Sequence, residues 1–152
     1  MDATDRAILR ELQRNGRIPN AELADRVHLS PSPCLRRVKR LEADGTISGY
    51  RAVLNKQKLG LGLTVFTEVK ISDHSPAATS AFQEAVADIE EIIGCYFVSG
   101  SSDLLLETAL ADLAAYEDLY FKKLTALPGV LDTETRIVMR TVKEPGVLPV
   151  RS

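Results

Sequence analysis

Two rhythms of apolar and polar positions divide this chain. Up to about residue 45 the apolar residues recur at three- and four-residue spacing, as the buried face of a helix requires. Ile8, Leu9 and Leu12 share one face of a first helix, which Thr4 or Asp5 caps and Asn15-Gly16 ends. Asn20 caps a second, with Leu23, Ala24 and Val27 inward. His28-Leu29-Ser30 leaves room only for a turn. Pro31 and Pro33 suit the first turn of a third helix, where a missing amide costs nothing, and that helix runs to about Asp44 and stops at Gly45.

From Leu63 the rhythm changes. Thr64 to Ile71 is rich in β-formers, Pro76 to Ile89 has helical spacing, and Ile92 to Ser99 and Asp103 to Leu110 read as strands. Asp112 to Leu127 is helical, Pro128-Gly129 breaks it, and Thr133 to Val142 is a last strand. This βαββαβ order predicts two interleaved crossovers and a four-stranded antiparallel sheet with both helices on one face, the ferredoxin-like pattern. Ile137 and Met139 alternate with Arg136, Val138 and Arg140, and Leu104 to Leu106 are consecutive, so both sheet faces carry apolar positions. A second copy of the sheet is the simplest cover, which predicts a homodimer. The chain is thus α+β, with a head over residues 1–62 and a body over residues 63–152.

The third helix carries the most chemistry. At about 100° per residue, Cys34, Leu35, Val38 and Leu41 form one apolar stripe. Arg36 and Arg40 flank the opposite pole, with Ser32 and Lys39 on one shoulder and Arg37 on the other. Two short helices at a tight turn, over about residues 20–43, with the second exposing bases and small polar groups near its start, match a helix-turn-helix that enters the major groove of double-stranded DNA. Ser30, Ser32 and Pro33 lie at the helix start, where it meets the bases; Arg36 and Arg40 face base edges; Arg37 and Lys39 hold phosphates. Thr46 to Leu54 has strand character and reads as a wing, on which Arg51 grips phosphate. The plainer reading is a solvated basic helix.

Charge bears on that choice. The formal net charge of −2 averages two unlike halves: 12 basic against 7 acidic residues up to Gly60, and 7 against 14 beyond it. A basic head that meets a polyanion, joined to an acidic body with another task, fits this asymmetry. Other classes are not supported. No apolar run approaches a membrane span, and the start MDATDRAILREL has no signal-peptide pattern, so the expected location is cytoplasmic and nucleoid-associated. Cys34, Cys95, His28 and His74 are too scattered for a structural metal site. No catalytic constellation emerges, Gly60-Leu61-Gly62 lacks the third glycine of a dinucleotide fingerprint, and no enzyme is expected. In the body, Gly100-Ser101-Ser102-Asp103 is either a small zwitterion-holding turn or a plain polar hairpin loop.

Taken together, several segments resemble the Lrp/AsnC (leucine-responsive, or feast/famine) transcription factors over essentially the whole chain. They are Asp5-Arg6 with Ile8-Leu9; Gly16-Arg17 followed by Glu22-Leu23-Ala24; and Leu29-Ser30-Pro31 with Pro33-Cys34 and Arg37 to Glu42. Gly45 with Ile47 and Gly49-Tyr50, Leu59-Gly60, Ser99-Gly100 with Asp103 and Leu105, and Leu127 to Val130 complete the set. The Ser-Pro-Ser-Pro-Cys start of the third helix is closer to the leucine-responsive branch. The resemblance implies a winged helix-turn-helix, a RAM-type ferredoxin-like αβ sandwich, and dimers that assemble further as tetramers of dimers. It also implies an amino-acid effector held near Gly100, Ser101, Ser102 and Asp103, with Thr133, Glu134 and Thr135 closing the pocket. The chain departs from many relatives in having Ser101-Ser102 and Leu104 where they carry larger or aromatic residues.

The leading expectation is a sequence-specific, amino-acid-responsive transcriptional regulator. Its rivals are a low-specificity architectural DNA-binding protein and a metabolite-binding ferredoxin-like protein whose helical head binds another partner. The basic face of the third helix speaks against the last.

Overall fold

The structure, a computed structural model, describes residues 1–151 and falls into two compact units. One contains Met1–Val53 together with residues 142–151; the other is Leu54–Thr141.

The first unit holds three helices, α1 (Ala3–Arg14), α2 (Asn20–Arg26) and α3 (Pro31–Ala43). The cap of α1 is Asp2, not Thr4 or Asp5. Asp2 and Asp5 form a reciprocal capping box, each carboxylate accepting from the other's backbone N–H, at 2.8 and 2.9 Å. Asn20 does not cap α2, because Pro19 holds that position; its amide instead donates to the Pro31 carbonyl at 2.9 Å and ties the two helices together. Between them His28 takes φ 56, and Leu29 N–H and His28 N–H donate to the carbonyls of Ala24 and Asp25. These are the paired bonds of a Schellman cap, which places the left-handed residue one position past the helix end. Ile8, Leu23, Ala24, Cys34 and Leu41 make the core, each at most 2% exposed.

The expected wing strand is absent among the described residues: Thr46 to Leu54 forms no ladder. Its anchor is Tyr50, whose ring lies against Gly16 and whose hydroxyl donates to Glu42 at 3.0 Å. The segment from Val142 packs in the same unit, where the Gln13 side-chain amide donates to the Leu148 carbonyl and accepts from the Leu148 N–H. Arg10 donates twice to the carbonyl of Val150.

The second unit runs β1 (Leu63–Ile71), α4 (Pro76–Ala87), β2 (Ile92–Phe97), β3 (Leu104–Leu110), α5 (Leu113–Lys122), a 3-10 turn (Leu124–Ala126) and β4 (Val130–Ile137). All pairings are antiparallel, in the order β2-β3-β1-β4. Val65, Val69, Leu104 and Leu106 form one buried face with Phe82 and Val86 of α4 and Tyr116 and Leu119 of α5, so both helices cover the same side.

Three boundaries differ most from expectation. The fifth helix stops at Lys122, because Lys123 leaves helical geometry (φ −122, ψ −53). The last strand begins three residues early and ends at Ile137, where its ladder with β1 runs out at Val65. Met139 therefore lies beyond the sheet.

Candidate nucleic-acid interface and effector site

The α3 helix is fixed from two sides. Cys34 and Leu41 are buried against the head core, and Val38 packs partly on it. Its α1-facing flank is held by charge. Arg37 donates to Asp2 at 2.6 Å and to Asp5 at 2.8 Å, and Arg40 donates to Asp5 at 2.6 Å. The Asp5 side chain is 1% exposed. Burial pushes the Asp5 carboxyl upward, but the Asp2 amide and the two guanidiniums outweigh it and hold it below the usual aspartate value. Asp2 is held down at about 2, first by the Asp5 amide and then by Arg37.

This arrangement redistributes the predicted DNA-facing residues. Arg37 and Arg40 turn toward α1, so their guanidiniums are shared with carboxylates. Arg36 and Lys39 are exposed and make no hydrogen bond or ion pair among the described residues. Ser32 is exposed beside them, Ser30 is the exposed N-cap of α3, and Pro33 is half-buried in the first turn. Arg51 is exposed next to the anchored Tyr50. Leu35, expected in the core, is 43% exposed and lies outside the packed set.

The predicted effector residues separate across the sheet. Asp103 is spent on tying its turn to the end of β1 and the loop after it: one carboxylate oxygen accepts from Ile71 N–H at 2.9 Å and the other lies 2.9 Å from His74 Nε2. That histidine contact and the Ile71 amide hold its carboxyl below the ordinary range. Gly100 supplies φ 128, a conformation that needs glycine, and Ser101 beside it is exposed. Thr133 and Thr135 point to the helix side, where the hydroxyls of Tyr120 and Tyr116 lie 2.8 and 2.7 Å from theirs. Tyr116 also meets buried Thr67 at 3.0 Å.

The other sheet face gathers a different set. Ser102 donates to Glu68 at 2.9 Å, Glu68 accepts from Arg136 at 2.6 Å, and Arg136 pairs with Glu134 at 3.0 Å. Arg136 and then Ser102 hold the Glu68 carboxyl below its usual value. Glu68 and Arg136 were not singled out from the sequence; the one available signal was a lone acid within the apolar-rich β1 segment. Leu105 lies beside Glu68 in the register, Tyr96 lies beyond Leu105 on the same face, and Tyr96 is 50% exposed. A separate cleft of about 1150 Å³ lies within the head, between α1, residues 46–53 and the tail, and includes no α3 residue. Among the described residues no three His, Cys, Asp or Glu side chains gather as metal ligands. No helix is long and apolar enough to cross a membrane.

Comparison with known proteins places both halves. Residues 1–48 match the winged helix-turn-helix DNA-binding family, and residues 64–148 match the Lrp/AsnC ligand-binding domain. The chain belongs to the Lrp/AsnC family. It is 47% identical to the leucine-responsive regulatory proteins of Klebsiella pneumoniae and Escherichia coli K12, over 100% of this chain and 93% of each relative. Its fold superposes with TM-score 0.94 on a Neisseria meningitidis transcriptional regulator solved with L-methionine, at 37% identity over 99% of this chain and 97% of that one. An AsnC family regulator from Agrobacterium tumefaciens gives the same score at 34% identity, over 99% and 97%. Like other Lrp/AsnC members, this chain is a transcriptional regulator with a DNA-binding helix-turn-helix and a ligand-binding domain. Its α+β fold, a helix-turn-helix head with a four-stranded αβ body, is that of the family.

Proposed function

We propose that α3 is the recognition helix and that Ser32, Arg36 and Lys39 form its DNA-facing centre. The carrying observation is that Arg36 and Lys39 stand exposed without partners on the side of α3 opposite the head core, while Asp2 and Asp5 hold Arg37 and Arg40 aside. Ser30 and Pro33 shape the helix start, and Arg51 adds a phosphate contact. Arg37 shares its guanidinium with Asp2 and serves phosphate only by exchanging that partner.

The effector is a free amino acid, as the methionine bound by the Neisseria meningitidis relative suggests. The polar group best suited to it is Ser102, Glu68, Arg136 and Glu134: a guanidinium takes a carboxylate, and carboxylates take an ammonium group. Tyr96 and Leu105 offer apolar surface for the side chain. Gly100, Ser101 and Asp103 build the turn that presents Ser102, and Thr133 and Thr135 brace β4 from the helix side. The same open sheet face, with its half-exposed Tyr96, suits pairing with a second copy, and such homodimers assemble further as tetramers of dimers. The protein acts on cytoplasmic, nucleoid-associated DNA and catalyses no reaction.

The test measures binding of the full chain to its own upstream region and to random duplex at one salt concentration, with and without individual amino acids. Preferential binding that leucine or methionine shifts supports the reading. Equal affinity for both duplexes favours an architectural role, and indifference to every amino acid removes the effector. Coupling of this kind typically shifts affinity about 5–150-fold.

A further inference from the structure

Leu35 is the one large apolar side chain of α3 that the head core does not take. Cys34 and Leu41 are at most 1% exposed, and Val38 packs against the core. Leu35 is 43% exposed and is not packed there. Its helical neighbours three and four residues away are half-buried Val38 on the core side and Pro31, Ser32 and Lys39, all exposed, on the other. Arg36 adjoins it and is exposed too. An aliphatic group embedded among a hydroxyl and two unpaired cations is poorly suited to an apolar protein partner, which would have to desolvate those cations. It suits a polyanionic groove that offers an apolar point at the base edges.

The major groove offers one such point, the 5-methyl group of thymine, and apolar side chains read it by contact. We propose that Leu35 is a specificity-determining residue that packs on a thymine methyl when α3 lies in the major groove. This rests on the recognition-helix assignment above. Arg36 and Lys39 supply charge at its sides, so Leu35 contributes discrimination and little of the sequence-independent affinity. The residue is positioned by its immediate neighbour Cys34, whose full burial sets the rotation of α3 about its axis.

The experiment uses the full chain and a duplex it selects from a randomised DNA pool. Each thymine is replaced in turn by uracil, which lacks only the methyl group, and affinity is measured at one salt concentration for the wild type and Leu35→Ala. The wild type is expected to lose about fourfold at one thymine in each half-site, the worth of one buried methyl. Leu35→Ala is expected to lose about as much on the thymine duplex, to be indifferent to uracil there, and to keep its affinity for random duplex. Equal uracil sensitivity in both proteins, or a wild type indifferent to uracil at every position, overturns the proposal while leaving DNA recognition intact. A chain that selects no duplex overturns both. Unchanged binding of Leu35→Ala to random duplex also shows that the variant is folded.

Discussion

Asp5, whose side chain is 1% exposed, accepts a hydrogen bond at 2.6 Å from the half-exposed Arg40. One of the basic groups of α3 is therefore part of the joint between two helices. Removing the carboxylate also removes half of the capping box. Asp5→Ala is expected to cost about 2 kcal/mol in urea unfolding, the worth of a charge-assisted hydrogen bond lost together with part of a cap. Arg40→Ala leaves Asp5 its bond to Arg37 and is expected to cost less. An Arg40→Ala variant less stable than Asp5→Ala would show that Asp5 is not the hub.

The same cluster sets a pH response. Asp2 and Asp5 both titrate below the free aspartate value of 3.8 in the folded head. A depressed carboxyl contributes stability that is complete above its unfolded pKa and is lost as pH falls through the folded one. Thermal stability of the head should therefore drop between about pH 4 and pH 2, the lower bound being the Asp2 value. In Asp2→Asn the fall over that window should be shallower, measured by calorimetry across the range.

His28 occupies the left-handed position of the α2 cap at φ 56. Glycine reaches this region without a Cβ penalty, and a β-branched residue reaches it least readily. His28→Gly should match or exceed the parent by up to about 1 kcal/mol, and His28→Val should lose at least about 1 kcal/mol. Denaturant melts of the two variants give the comparison, and a His28→Val protein as stable as the parent would contradict the cap.

Tyr116 joins α5 to two strands through Thr67 and Thr135. Tyr116→Phe leaves the Thr67 hydroxyl, at 0% exposure, without that partner. A loss of about 1–2 kcal/mol in body stability is expected. Tyr120→Phe, whose partner Thr133 is less buried, should lose less.

Sequence pattern served best where one period dominates. Residues 63–71 and 104–110 lie close to the strands their composition announces, because half of each strand is buried against helices. It served poorly where contacts are distant. Asp5 reads as a cap, and nothing in its neighbourhood announces a partner 35 residues away. Leu35 sits at the margin of the apolar stripe, so a small rotation of α3 decides whether it is core or surface. Thr46 to Leu54 has the residues of a strand, yet a strand needs a neighbour to pair with. Thr133 and Thr135 do lie together, but their alternation places them on the face opposite Ser102 and Glu134.

Gln13 grips the backbone of Leu148 as a neighbouring strand would, with one bond in each direction. The head is thus sewn from two separate stretches of chain, and in topological terms Leu54–Thr141 is an insertion between them. A protease cut anywhere in residues 54–62 would yield no free-standing head but a two-piece one, its last segment still tethered to the sheet domain. A fragment stopped at Val53 would expose Leu9, Leu12 and Tyr50 along the cleft that the returning chain helps to line.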